Sequence, residues 1–183
     1  MKVTVAGKGN VGGGLADLWE NAGHEVQRLG REGGDVSGAD VVLLAMPGGA
    51  VPDALSDLHG IEGKTVIDAT NLIGATPPGG FASNAEYVKS VTGGPTAKSF
   101  NINFASLYDQ LAAAEPPAGN VWCGDEEARD AVEQLNRDAG YEPIYAGDLT
   151  KAGLQESFLQ YVFGIAQGGM GPFFYRMAPP DRF

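Results

Sequence analysis

Short apolar runs alternate with stretches of helical periodicity along this chain. Residues 3–6 form an apolar run of strand length, and the segment after it, through Ala22, sets Leu15, Leu18 and Trp19 on one helical face. Gly23 stands where a helix takes its C′ residue. Residues 25–29 read as the next strand. Residues 41–45 (VVLLA) are apolar throughout, as a parallel strand covered on both faces must be. Pro47-Gly48-Gly49 ends that run ahead of a helix over residues 50–58. Further strands are expected over residues 65–68, 97–100, 120–123 and 142–145. The last belongs at a sheet edge, because Pro143 has no N–H to give to a ladder. Helices are expected over residues 83–91, with Ser83 and Glu86 as a capping box, and over residues 104–114. Another spans residues 126–139, started by the carboxylate of Asp125. A long apolar helix over residues 151–167 precedes an aromatic tail, and residues 74–80 form a loop.

This alternation predicts an α/β fold, a mainly parallel sheet with helices on both faces and a C-terminal helix. Only about ten residues separate the second strand from VVLLA, fewer than the dozen or more that a full crossover requires. The first half of the sheet is therefore expected to be shortened. The length suits one domain over residues 1–183, with the C-terminal helix and tail occupying residues 150–183.

Composition narrows the function. The net charge of −11 leaves no basic surface for nucleic acid or an anionic membrane, so any anionic ligand must be held by local backbone devices. A single cysteine, Cys123, excludes an intrachain disulfide and a cysteine metal cluster, and His24 and His59 are too far apart to suggest a metal site. No signal pattern opens the chain, and no apolar stretch approaches a membrane span, so a cytoplasmic protein is expected.

The chemistry concentrates at the first strand–helix junction, Gly7-Lys8-Gly9-Asn10-Val11-Gly12. In a Rossmann-type dinucleotide site the first glycine allows the tight turn, the second admits a pyrophosphate, and the third lets helix and sheet pack closely. The helix N-terminus then offers its N–H groups to the phosphates. An NAD reader places a carboxylate about 20 residues further on, whereas this chain has Arg28 and Arg31 there, with Glu32 following. A guanidinium suits a 2′-phosphate, which favours NADP and points first to Arg31. Two later junctions, Ala45-Met46-Pro47 and Ala69-Thr70-Asn71, follow strands where cofactor and substrate meet in open α/β sheets. Simple turn chemistry also accounts for Pro47, Gly48 and Asn71.

Several segments in order resemble the NADP oxidoreductase family that includes the coenzyme F-420-dependent NADP reductases. They are GKGNVGGGLADLWENAGHEV, the AMP after VVLLA, VIDATNLIG, SNAEYVKSVTG, AKSFNI and CGDEEARDAVEQL, and they reach from Met1 to about Leu154. The NADPH-dependent domains of membrane metalloreductases are similar. The resemblance implies NADPH on the glycine-rich loop and a flavin or deazaflavin (F-420) near Lys98-Ser99-Phe100-Asn101. It places Met46 and Pro47 beneath the nicotinamide, and Asn101, Asn103 and Ala105 around the second ring system. The deazaflavin reductases carry a His where this chain has Asn101, and metalloreductase-like members match Phe100-Asn101 better.

Hydride exchange between a nicotinamide and a flavin-like ring needs no side-chain nucleophile, and no catalytic residue is assigned. Asp68 is expected to hydrogen-bond a loop, His59 to lie at the surface and Cys123 to be buried. The aromatic C-terminus is expected to form a homodimer surface or a wall of the second pocket, or to pack on the sheet. The partner is then a small-molecule redox acceptor. Two other functions fit the same residues: a non-catalytic NADP(H)-binding redox sensor, and a carbonyl or imine reductase completed by a partner subunit.

Overall fold

The structure, a computed structural model, describes residues 1–182. Strand β1 (Lys2–Ala6) runs into helix α1 (Asn10–Asn21), and β2 (Glu25–Leu29) returns parallel to β1. A two-residue strand β3 (Gly34–Asp35) is followed by β4 (Val41–Leu44), α2 (Val51–Asp57), a second short strand β5 (Leu58–His59) and β6 (Thr65–Asp68). The remaining elements are α3 (Asn84–Thr92), β7 (Thr96–Lys98), β8 (Gly119–Gly124), α4 (Arg129–Asp138), β9 (Glu142–Tyr145) and α5 (Ala152–Ile165). Seven strands make one sheet in the order β2-β1-β4-β6-β7-β8-β9, with β7 and β8 antiparallel and every other neighbouring pair parallel.

The shortened first half is present as expected. Among the described residues no strand extends the sheet beyond β2; β3 pairs instead with β5 in a separate parallel ribbon. Residues 30–40 contain no helix, so the chain passes from one flank of β1 to the other through β3 and turns alone. Strand β1 thus has β2 on one side and β4 on the other, and strand order reverses around it. Such a reversal opens a crevice beyond the carboxyl ends of the strands, where α/β sheets bind ligands.

Strand alternation divides the core in two. Val3, Val5, Val41, Leu43 and Ile67 face α1 and α4 through Leu15, Trp19, Val132 and Leu135. Ala6, Val42, Leu44 and Val66 face α2 and α3 through Val51, Leu55 and Val88. Trp19 is completely buried, and its Nε1 donates to Leu135 O at 2.8 Å, tying α1 to α4. Truncating such a side chain to Ala costs about 3–5 kcal/mol.

Three elements differ in detail from the expectation. Residues Ala105–Ala113 wind as a 3-10 helix, whose period of three puts Ala105, Tyr108 and Leu111 on the same side against the core. The capping box is shifted: Ser83 Oγ accepts Glu86 N at 3.2 Å, but Glu86 Oε2 accepts Ala82 N at 2.9 Å rather than the N–H of Ser83. Asp125 does not cap its helix. Its carboxylate accepts Thr96 N at 2.9 Å and Lys89 Nζ at 2.7 Å, so it joins α3 to β7 instead. Strand β9 with Pro143 is an edge, as the missing N–H requires. Beyond α5 and a wider turn over Ala166–Met170, the tail folds back on β8: Gly119 N donates to Tyr175 O at 2.6 Å and Val121 N to Tyr175 Oη at 3.0 Å. No helix among the described residues is long and apolar enough to cross a membrane.

Candidate functional site

The junction between β1 and α1 shows how each glycine is used. Gly7 has φ +120°, and a Cβ there would lie 2.2 Å from Ala45 O. A Cβ on Gly12 would lie 2.0 Å from Gly7 O and 3.1 Å from Ala45 Cβ, so the first turn of α1 rests directly on the ends of β1 and β4. Gly9 is the opposite case: its Cβ would meet nothing within 4 Å. Its bareness serves nothing inside the protein and leaves backbone exposed toward the crevice. Gly9 is also the N-cap of α1, without a side-chain capping bond, and no acidic residue stands in the first turn. The N–H groups of the first turn have no intrahelical acceptors, and together with the helix dipole they make an anion site.

The neighbouring strand ends are stitched into one ledge. Gly7 N donates to Leu29 O at 3.0 Å, Ala45 N to Ala6 O at 2.8 Å, Ala69 N to Leu44 O at 3.0 Å and Ser99 N to Asp68 O at 3.2 Å. Ala45, Met46, Pro47, Ala69, Thr70 and Asn71 therefore share the crevice edge with the glycine-rich loop. Asn84 locks two of these loops, its Nδ2 donating to Gly48 O at 3.0 Å and Thr70 Oγ1 at 3.1 Å. Asp68 accepts Thr70 N at 2.8 Å, the loop bond expected of it.

At the end of β2 the two arginines separate. Arg28 is bound to Glu20 at 2.7 Å and Asp17 at 2.8 Å on α1, which also raises its already high pKa through those bonds. It is unsuited to a phosphate. Arg31 is exposed and makes no ion pair among the described residues. Beside it Lys8 of the glycine-rich loop lies 3.7 Å from Glu32, whose pKa is lowered chiefly by its own backbone N–H and by Lys8. Lys8 and Arg31 thus put two cations at one mouth of the crevice, in a chain of strongly negative charge.

No family model matches the sequence, and no curated protein does. Solved structures do. An Arthrobacter sp. FB24 protein proposed to be an F420-dependent NADP reductase superposes with a TM-score of 0.77 at 22% identity, over 98% of this chain and all of that one. A reductive aminase from Aspergillus terreus, solved with NADPH4, cyclohexanone and allyl amine, gives 0.67 at 19% identity, over 91% of this chain but 62% of the aminase. The 3-hydroxyisobutyrate dehydrogenase of Mycobacterium tuberculosis gives 0.63 at 14% identity, over 94% of this chain and 72% of the enzyme. This is a Rossmann-like α/β fold. The likeness to the Arthrobacter protein covers nearly the whole chain, and it agrees with the resemblance carried by the sequence motifs.

On the far side of the Rossmann crevice the structure brings together residues that the sequence kept apart. Asn71 Nδ2 donates to Asn101 O at 2.8 Å and Asn101 Nδ2 to Asn71 Oδ1 at 2.9 Å, a reciprocal pair across two loops. Phe100 just before it adopts φ +62°, a left-handed conformation that costs a non-glycine residue about 1–3 kcal/mol. Its ring is buried edge-on to Trp19, which fixes the turn that aims Asn101 at Asn71. Asn103 turns elsewhere. Its Nδ2 donates to Asn120 Oδ1 at 2.7 Å, and Asn120 in turn bonds Ser99 and Asn136. Ala105 packs against the α1 side of the core. The three residues assigned to a second pocket are thus not gathered around one cavity.

Sequence reasoning missed a buried ion cluster behind the ledge. Lys98 is 0% exposed and lies 2.8 Å from Asp68 and 2.8 Å from Glu156 of α5, and its ammonium also donates to Thr70 O. The cluster anchors α5 to the ends of β6 and β7. Its signal in the sequence is slight: Glu156 is the one charged residue of α5. No group of three or more metal-ligating side chains occurs among the described residues. His24 bonds Asp138 at 2.7 Å, His59 is exposed in β5 and Cys123 is buried.

Proposed function

We propose that this chain is an NADP(H)-dependent oxidoreductase whose glycine-rich loop and α1 N-terminus hold the diphosphate of the cofactor. The observation that carries the reading is the pairing of an uncapped helix start with Gly9, bare and open toward the crevice, between two glycines that close packing demands. Gly7, Lys8, Gly9, Asn10, Val11 and Gly12 would cradle the diphosphate, and Arg31 with Lys8 the 2′-phosphate. Ala45, Met46, Pro47, Ala69, Thr70 and Asn71 would border the nicotinamide ribose. Bound there, the nicotinamide supplies the hydride, and the protein's task is orientation and exclusion of water.

The chain's own residues suit that task. The Asn71–Asn101 pair and the Asn84 bonds hold the ledge rigid, while the Lys98 cluster fixes α5 behind it. No acid or base is required at the reacting centre. The acceptor in this reading is a flavin-like or deazaflavin ring, a choice supported by the activity proposed for the Arthrobacter protein. Stopped-flow oxidation of NADPH with FMN, FAD and F-420 as acceptors tests it. Saturable turnover with at least one of them is expected. Tight NADPH binding with no turnover across the panel would favour the redox-sensor reading instead.

A further inference from the structure

Helix α5 carries two stripes. Ala152, Gln155, Leu159 and Val162 are buried against the rest of the chain. Leu154, Phe158, Tyr161 and Ile165 follow one another at spacings of four, three and four on an adjoining side, and they are 71%, 38%, 73% and 46% exposed. That is the repeat of a seam that packs on another helix, and a helix apolar on more than one side is normally covered on each of them. The exposed stripe borders an apolar groove of ≈ 500 Å³, walled by Val121, Ile144 and Tyr145 of the β8–β9 pair and by Leu154, Phe158 and Tyr161 themselves. The rings of Phe158 and Tyr161 stack with centroids 6.4 Å apart. Gly164 lies beside the stripe, and a Cβ there would meet nothing within 4 Å. Glycine in a helix interior is costly relative to alanine. Nothing inside this chain uses its bareness, whereas a helix laid against α5 would.

We propose that this stripe is the interface between two copies of the chain, each laying its α5 on that of the other about a two-fold axis. Three observations choose a second copy as the occupant. The first is charge. Two chains of net charge −11 repel over most of their surface. Residues 152–175, however, carry one charged side chain, Glu156, and Lys98 holds it at 2.8 Å, so like-charged copies can meet across this face. The second is shape. A two-fold contact needs protrusion and hollow on the same patch, and Tyr161 standing beside the groove supplies both. The third is area. Tyr145 and Met177 also line the groove and are exposed. At roughly 200 Å² for each fully exposed large side chain, they and the stripe leave about 600 Å² of apolar surface uncovered. That is the upper limit for a monomer, about 300–600 Å², and most of the ~800 Å² that each partner gives to a standard interface. The interface stands whether or not the redox reading above does.

Sedimentation velocity of the full chain over a range of concentrations tests the proposal. A dimer is expected by about 10 μM, since interfaces of standard size reach micromolar dissociation constants or tighter. Tyr161→Glu sets a charge in the middle of the stripe and should weaken the dimer at least about thirtyfold, as loss of a central aromatic anchor does. Leu154→Glu, at the end of the stripe, should weaken it too, which keeps the test decisive if either variant fails to fold. Val91→Glu, at an exposed position of α3, should leave the dimer unchanged. Because the copies repel through their net charge, raising salt from about 50 to 500 mM should tighten their association. A monomer at every concentration up to about 100 μM would overturn the proposal. So would a dimer that survives both Glu variants, or one that salt weakens, since either would place the contact elsewhere. A monomer that floats with phosphatidylcholine vesicles would give the stripe to a lipid surface and overturn the proposal equally.

Discussion

Adding one methyl group at Gly12 or at Gly9 should produce opposite defects. At Gly12 the new Cβ would stand 2.0 Å from Gly7 O, against the 3.4 Å at which ordinary contact begins. The first turn of α1 must then retreat by about 1.4 Å, and a gap of 0.5–1 Å already forfeits a quarter to a half of each dispersion contact. Leu15, Ala16 and Trp19, all fully buried on α1, lose packing together. Overpacking of this kind costs about 1–3 kcal/mol, which for a chain of this size lowers Tm by about 2–12 °C. At Gly9 the Cβ meets nothing within 4 Å, and the residue's φ of −76° suits alanine. Gly9→Ala should therefore leave Tm within about 3 °C, the roughly 0.5–1 kcal/mol lost at the cap being largely offset by lower unfolded-state entropy. Yet it should weaken NADPH at least about tenfold, because the methyl occupies the approach of the diphosphate. Differential scanning calorimetry and NADPH titration of both variants check this. A Gly9→Ala protein that binds NADPH as the unaltered chain does would refute the role given to this loop.

Three further outcomes follow from the geometry. Arg31→Ala should weaken NADPH by about 10- to 100-fold, the worth of charge-assisted phosphate bonds, and NADH by less than about threefold; equal losses would remove the case for 2′-phosphate recognition. Lys98→Met should leave Asp68 and Glu156 buried without their counter-ion and cost about 3–5 kcal/mol, read as a lower urea midpoint at unchanged slope. Burial pushes the Cys123 thiol up to about 12, so in the folded chain at pH 8 its thiolate fraction is about 10⁻⁴, against roughly a quarter for an unfolded thiol near 8.5. Alkylation should accordingly be about a thousandfold slower before denaturant than after. Because the folded value is the higher one, this thiol's contribution to stability is complete below about 8.5 and is lost as pH rises toward about 12.

The parts of the fold readable from the sequence are those set by local patterning. VVLLA announces a strand covered on both faces, and Pro143 announces an edge, because each signal depends only on its own residues. The short connection after Leu29 foretold a shortened first half through chain length alone, though not how many strands the sheet would hold. What escaped depends on distant partners. Asp125 looks like a helix cap until β7 brings Thr96 N within 2.9 Å. Arg28 and Arg31 look alike as phosphate readers until α1 places Asp17 and Glu20 around one of them. Lys98, Asp68 and Glu156 lie on three separate elements, and nothing local to any of them signals an ion cluster. Asn103 was placed near the second ring system by the resemblance alone, and its amide donates to Asn120, a partner 17 residues away that nothing beside it announces.

Calorimetric titration of NADPH and NADH into the purified chain at moderate ionic strength tests the central claim most directly. Saturable one-to-one binding of NADPH, tighter than that of NADH, is the expected result. Heat of dilution alone from both nucleotides would mean that the open amides at the start of α1 do not grip a diphosphate.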